Sequence, residues 1–258
     1  MKKTKNAAPP DDEAPVATSA DPKKTIRVAI VEDHTLMREG MAQLINSQPD
    51  MKVVAQAGDA GGGLSGILET KPDLALIDIT LPGRNGLELI KDLIAQQPQL
   101  PILVVSMHDE TLYAERALKA GAKGYLMKDA ERNTILTAIR RVLAGGFYVS
   151  DRMAGEIFAS FAGKAAARSE AGGAVAKLSD REFEVFEHLG AGLGTNEIAE
   201  RLGISPKTVE VHRARIREKL GLPNGAALVR YSVRWVETRN LGAGPAELKP
   251  APVAPAQT

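Results

Sequence analysis

Five short apolar runs, at 26–31, 52–56, 74–79, 102–106 and 124–127, mark out the first half of this 258-residue chain. They are rich in Ile, Val and Leu, as strands buried in a parallel sheet are. Helical patterns fill the gaps, at 36–46, 64–70, 86–96, 112–120 and 132–143. Parallel neighbours need a crossover connection, and a helix supplies one. Five strands alternating with five helices therefore predict an α/β doubly wound, parallel five-stranded sheet over residues 26–145.

The rest of the chain has no strand pattern. Helices are expected near 180–189, 196–202, 206–220 and 225–238, forming a separate all-α four-helix domain over 177–241. Residues 146–176 read as a linker containing a short helix, and the run GKAAARSEAGGAVA at its end suits a flexible connection. Residues 1–25 and 242–258 are Pro/Ala-rich with little apolar content and should be disordered. The sequence has no cysteine, which excludes disulfides, thiolate catalysis and cysteine metal sites. No secretory signal is recognisable, and no apolar run reaches the roughly 20 residues of a membrane helix, so a cytoplasmic protein is expected. Net charge is almost even: 13 basic against 15 acidic residues over 26–145, and 11 against 9 over 177–241.

In an open parallel sheet, ligands meet the carboxyl ends of the strands. The first strand ends in Glu32-Asp33, the third in Asp78 and the fourth in Ser106, and Lys128 follows the fifth. Taken singly, such residues have ordinary uses: an Asp after a strand caps the next helix, and a Lys on a loop is solvated. Together, three carboxylates, a hydroxyl and a lysine converge on one edge and define a candidate site. Hard oxygen donors suit Mg2+, which keeps several waters and accepts a phosphate as well. Phosphoryl transfer to a carboxylate needs little beyond this positioning and charge neutralisation.

The segments IRVAIVEDH, LALIDITLPGRNGLELI, LVVSMHDE and GAKGYLMK, in this order and spacing, resemble the signature segments of response-regulator receiver domains. The resemblance implies a flavodoxin-like receiver with Asp78 as phosphoacceptor. It implies that Glu32, Asp33, Asp78 and the backbone carbonyl of Thr80 hold Mg2+, and that Ser106 and Lys128 bind the acyl phosphate. Tyr125 matches the aromatic residue that swings inward as the hydroxyl engages phosphate. Thr80 and His108, each two residues past a key position, match places that tune water access to the phosphoryl group. A competing motif, Gly61-Gly62-Gly63-Leu64-Ser65-Gly66, has the form of a dinucleotide fingerprint. That reading leaves Glu32, Asp33, Ser106 and Lys128 idle, and the glycines otherwise read as a loose start to the second helix.

In the second half, Ser179 and Glu182 form a capping box, followed by an apolar stripe of Val185, Phe186 and Leu189. Thr195 is expected to cap a short helix with Ile198, Ala199 and Leu202 inward. Gly203 permits a left-handed turn, Ser205 can cap the next helix, and Pro206 fits its first position. Helix, glycine turn, helix is the helix-turn-helix pattern. On the 206–220 helix, Val209, Ile216 and Leu220 share an inward arc. Five basic and two acidic side chains lie in residues 205–220, which suits phosphate contacts and equally suits an ordinary solvated face.

The run LSDREFEVFEHLGAGLGTNEIAERLGISPKTVEVHRARIREKLGL is very similar to the LuxR/NarL-type DNA-binding domain. The resemblance makes 206–220 the recognition helix, with Lys207, Thr208, Glu210, Val211, Arg213, Ala214, Arg215, Arg217 and Lys219 as the DNA-binding set. Glu210 is expected to select a cytosine, whose N4 donates in the major groove. The last helix becomes a dimerisation surface through Leu228, Val229, Ser232, Val233, Trp235 and Val236.

The whole chain is thus identified as a two-component response regulator of the LuxR/NarL/FixJ type. The implied partners are a histidine kinase, double-stranded promoter DNA and a second copy of the chain, and no enzymatic turnover is expected. The rivals are a constitutive DNA-binding regulator with a silent receiver, and a Mg2+-dependent aspartyl-phosphate phosphatase or dinucleotide-binding enzyme. Because neither tail can bury enough apolar surface to fold, deleting residues 1–22 and 243–258 should leave both thermal transitions unchanged. A clear drop in melting temperature of the truncated chain would show that the tails are docked.

Overall fold

The computed structural model describes residues 25–159 and 174–240. The tails expected to be disordered (Thr25 aside) and the middle of the linker lie outside the described residues. Strands β1 (Ile26–Val31), β2 (Met51–Ala57), β3 (Leu74–Ile77), β4 (Ile102–Ser106) and β5 (Gly124–Met127) form one sheet in the order β2-β1-β3-β4-β5. Every pairing is parallel. The connecting helices are α1 (Thr35–Asn46), α2 (Ala60–Thr70), α3 (Gly86–Gln96), α4 (Glu110–Ala120) and α5 (Arg132–Leu143). Strand order reverses between β1 and β3, so the crevice at their carboxyl ends is the topological switch point.

The two faces of the sheet bury different residues, as a period of two requires. Val28, Ile30, Leu74, Leu76, Leu103 and Val105 pack with Met41, Ile45 and Ile139 of α1 and α5. Ala29, Val31, Ala75, Ile77 and Val104 pack with Ile67, Leu89, Leu93 and Ala117 of α2, α3 and α4. The central strands β1, β3 and β4 are thus buried on both sides, and the side chains free to do chemistry are those at their ends.

Several boundaries differ from the sequence expectation by a residue or more, and two of them bear on the site. Strand β3 stops at Ile77 rather than residue 79, although the Asp78 N–H still donates to Val31 O at 2.9 Å. Helix α2 begins at Ala60 rather than 64, because Asp59 accepts from the Gly62 N–H at 2.9 Å and caps the glycine turn. A Cβ on Gly63 would come within 2.8 Å of Val31 Cγ2. The glycine motif therefore serves close packing of α2 on β1.

The linker is partly built into the fold. Tyr148 forms a parallel bridge beside β5, exchanging Tyr125 N→Tyr148 O (2.8 Å) and Tyr148 N→Lys123 O (3.0 Å). Helix α6 (Asp151–Ala159) follows with Met153 buried, and a 3-10 turn at Ala174–Lys177 leads into the second half. There, α7 (Asp180–Gly190), α8 (Thr195–Leu202), α9 (Pro206–Lys219) and α10 (Gly225–Asn240) make the expected four helices. The Ser179–Glu182 capping box is present, and Ser205 caps α9 with Pro206 in its first turn. Thr195 is not a cap. Gly194 takes that place, its N–H donating to Glu197 Oε2 at 2.7 Å, and the Thr195 hydroxyl instead donates to Glu210 at 2.7 Å. On α10, Leu228, Ser232 and Trp235 are buried inside their own domain, where Trp235 packs edge-on against Phe183 and Phe186.

The halves are docked through α7, where Asp180, Arg181, Glu182 and Glu184 are buried along with the apolar residues. The Arg116 guanidinium lies 4.3 Å from the centre of the Phe183 ring and donates to Asp180 Oδ1 and Leu178 O. Lys91 reaches the other oxygen of Asp180 at 2.7 Å. Arg181 donates to Gly83 O of the β3–α3 loop and to Leu202 O of α8. Glu184 is 1 % exposed, and burial pushes its carboxyl up to about 7, against the opposing pull of Arg181 and Asn85. The folded, docked chain therefore binds that proton more tightly than the unfolded chain, whose value is 4.5. The associated stability is fully present below the unfolded value and is lost as pH rises through about 7. Glu184→Gln should remove this dependence, raising the melting temperature relative to wild type at pH about 8 and much less at pH about 5. Parallel pH curves for variant and wild type would show that Glu184 does not carry it.

Candidate phosphoryl-acceptor site and nucleic-acid interface

The switch-point crevice gathers the expected residues. Glu32 follows β1, Asp78 follows β3, Ser106 closes β4 and Lys128 follows β5. Lys128 Nζ sits 2.7 Å from Glu32 Oε1 and 3.0 Å from Asp78 Oδ2, and all three side chains are almost wholly buried. Burial raises the Asp78 carboxyl to about 6, with Glu32 adding to the rise and Lys128 opposing it. The other Asp78 oxygen, Oδ1, is buried and has no close hydrogen-bond partner among the described residues, while the nearby Thr80 backbone N–H helps to offset the rise. A Cβ at Gly86 would collide with the Asp78 carbonyl, so glycine at that position lets α3 start directly beneath the acidic residue. Asn85 caps this start, accepting from the Leu87 N–H at 2.6 Å.

Asp33 is half-exposed beside Glu32, and carboxylate oxygens of both, with His34 Nδ1, lie within 4.8 Å of one another. The two carboxylates that follow β1 are hard oxygen donors of the kind a divalent cation takes, and Asp78 joins the same crevice through Lys128 rather than through this cluster. Thr80 lies at the same rim, and its hydroxyl is 2.8 Å from His108 Nε2. Ser106 Oγ accepts from the His108 N–H at 3.2 Å. Tyr125 is already fully buried, its hydroxyl donating to His108 O at 2.8 Å and its pKa raised by burial. The ring therefore points inward, behind Ser106 and against the His108 carbonyl.

On α9, Val209 and Ile216 are buried, while Lys207, Glu210, Val211, Ala214, Arg215, Arg217 and Lys219 are exposed and Thr208 and Arg213 are half-buried. Some of this set is engaged at home. Lys219 donates to Glu182 at 2.6 Å, and Thr208 shares the Ser205 cap. Arg213 donates to Glu210 at 3.0 Å and to Thr195 at 2.6 Å, so the Glu210 carboxylate is held within its own domain. Lys207, Arg215 and Arg217 make no such ion pair among the described residues and leave exposed positive charge on this helix.

Comparison with known families agrees with both halves. Residues 28–140 match the response regulator receiver domain, and residues 176–232 match the luxR family of bacterial regulatory proteins. The transcriptional regulatory protein UhpA of Escherichia coli K12 is 36% identical over 206 residues, covering 80% of this chain and 96% of UhpA. The chain is a LuxR-type response regulator. The oxygen regulatory protein NreC of Staphylococcus aureus is similar to this response regulator at 35% identity over 211 residues, covering 81% of this chain and 97% of NreC. Among solved structures, a LuxR-family response regulator from Aurantimonas sp. SI85-9A1 superposes with a TM-score of 0.51 at 36% identity, over 54% of this chain and 99% of that one. The Salmonella typhimurium response regulator RcsB shares the fold, with a TM-score of 0.58 at 23% identity, over 82% of this chain and 98% of that one.

Sequence reasoning on this response regulator missed Tyr113, Arg181, Glu184 and Glu187. Tyr113 and Glu187 meet across 74 positions of chain, and neither belongs to a periodic or motif signal. A buried polar cluster on α7 was the available hint, since Asp180, Arg181, Glu182 and Glu184 alternate with an apolar stripe in a way that a free surface helix would not distinguish. The receiver's own lysine gives the sharper test of its acidic centre. Removing one partner from a buried charge cluster costs about 3–5 kcal/mol. Lys128→Met should therefore lower the receiver's resistance to urea by that order, and added Mg2+ should recover part of the loss. An unchanged midpoint would mean that Glu32 and Asp78 do not need the ammonium.

Proposed function

We propose that phosphorylation of Asp78 switches promoter binding by this chain. The phosphoryl group comes from a histidine kinase or a small phosphodonor. Asp78 Oδ1 attacks phosphorus, the bond from phosphorus to the donor atom breaks, and an acyl phosphate remains on the protein. Glu32, Asp33, Asp78 and the Thr80 carbonyl would hold Mg2+, which offsets repulsion between carboxylate and phosphoryl oxygens when bound. Lys128 then has a phosphoryl oxygen to pair with in place of Asp78 Oδ2, and Ser106 donates its hydroxyl to another. Tyr125, buried behind Ser106, holds the β4–α4 corner through its bond to His108 O.

The observation that carries this reading is the contact between the two halves just past Asp78. Gly83 N donates to Leu202 O at 3.3 Å, and Arg181 donates back to Gly83 O at 3.3 Å. A Cβ on Gly203, in the turn before the recognition helix, would lie 3.0 Å from Gly83 N. The loop that leaves the acceptor thus abuts the turn that must approach DNA. The acyl phosphate carries about −1.5 to −2 charges, and its arrival shifts the docked and released populations.

Once released, α9 enters the major groove with Lys207, Thr208, Val211, Ala214 and Arg215 outward, and Arg213, Arg217 and Lys219 flanking. Glu210 steadies Arg213 there and disfavours non-specific contact with phosphates. Two copies bind together, with Val229, Val233 and Val236, each half-buried on α10, as the contact. The setting is the bacterial cytoplasm, and no metabolite is turned over. Asp78→Asn should abolish labelling by acetyl phosphate and the gain in DNA affinity that labelling brings, while leaving basal binding in place. Full labelling of that variant would move the acceptor to another residue.

A further inference from the structure

His108 is held from two sides. Towards the acidic centre, its Nε2 is 2.8 Å from Thr80 Oγ1, its N–H donates to Ser106 Oγ at 3.2 Å, and its carbonyl accepts from the Tyr125 hydroxyl at 2.8 Å. Towards the second half, its ring lies 4.4 Å from the Tyr113 ring. The Tyr113 hydroxyl donates to Glu187 Oε2 at 2.6 Å, and the same oxygen is 3.8 Å from His108 Nδ1. Tyr113 is fully buried and its pKa lies well above the usual value, so it remains a donor and Glu187 is its acceptor.

We propose that Glu187, in the DNA-binding half, is a positioning residue for the receiver's phosphoryl chemistry. It acts through Tyr113 and His108 on Ser106 and Thr80. While α7 is docked, the Glu187 carboxylate fixes the Tyr113 hydroxyl and faces the His108 ring, and His108 fixes the hydroxyl that must turn to the phosphoryl group. Turning Ser106 to a phosphoryl oxygen moves the acceptor of the His108 N–H. His108 then shifts relative to Tyr113 and Glu187, and the docked contact weakens. The same free energy acts in reverse: DNA that draws α7 away frees Ser106, so DNA binding and phosphoryl binding favour one another.

This rests on the reading of Asp78 as acceptor, and the experiment separates the two. The full chain is titrated with beryllofluoride in Mg2+, a phosphoryl mimic whose binding is read by fluorine NMR, with and without a random-sequence DNA duplex at low salt. Glu187→Ala and Tyr113→Phe should each tighten beryllofluoride binding by about fivefold or more, the lower end of allosteric couplings. The double variant should gain nothing further, because both changes cut one link. Glu187→Gln, which keeps an acceptor for Tyr113, should stay close to wild type, and Tyr113→Phe, which keeps the ring and removes only the hydroxyl, separates the hydrogen bond from packing. DNA should tighten binding in wild type and leave Glu187→Ala unmoved. Should Glu187→Ala lose its fold by circular dichroism, the Tyr113→Phe arm decides. Wild-type affinity in the single variants, or additive effects in the double, overturns the proposal. Wild-type binding by Asp78→Asn would instead overturn the acceptor assignment and leave the Glu187 result to be read on its own.

Discussion

The Lys128 ammonium between Glu32 and Asp78 is the interaction on which the rest of this protein depends. Three ionised groups in a near-dry crevice are tolerated only when they satisfy one another, since an isolated buried charge costs several kcal/mol. One cation against two carboxylates leaves a residual negative charge, so the cluster is internally paired yet keeps carboxylate capacity to spare. Burial that raises Asp78 to about 6 also keeps water from competing for its oxygens. The cluster exists only because β1, β3 and β5 end at the same level of the sheet.

The second half of the chain meets this centre through geometry that starts at Asp78. Gly86 lets α3 begin beneath Asp78, and the intervening loop is pushed outward to present Pro82 and Gly83. That loop meets Leu202 and Gly203, while Tyr113 and Arg116 of α4 meet Phe183, Asp180 and Glu187 of α7. The interface mixes aromatic and cation–π contact at Phe183 with the Arg116–Asp180 ion pair, a more exposed Lys91–Asp180 pair and polar bonds such as Tyr113 to Glu187. Such an interface is specific, because each charged group needs its partner, but weakly stabilising, because each was desolvated to get there. A contact of that kind suits a reversible docked state better than a permanent one. Glu184, neutral only below about pH 7, adds a term to this balance.

Much of this protein was legible in its sequence. Alternating apolar runs and helical patterns determined the doubly wound sheet, because strands buried on both faces need apolar residues throughout and parallel strands need crossovers. The sheet in turn determined that residues at strand ends meet, so Glu32, Asp78, Ser106 and Lys128 are legible as a group from their positions after the strands. Caps at Ser179 and Ser205, and the inward positions Val209 and Ile216, followed from local rules that act within a few residues. Local rules failed where two caps competed: Gly194 took the place of Thr195 because Glu197 reached back to its N–H, leaving the threonine hydroxyl for Glu210. Only the tertiary structure decided which charges pair across distance. Lys219 with Glu182, Arg116 with Asp180 and Tyr113 with Glu187 are separated by long stretches of chain. Hydrogen bonds and ion pairs leave no periodicity in a sequence, because they depend on how whole helices pack, and packing is settled by the buried surface of both halves together.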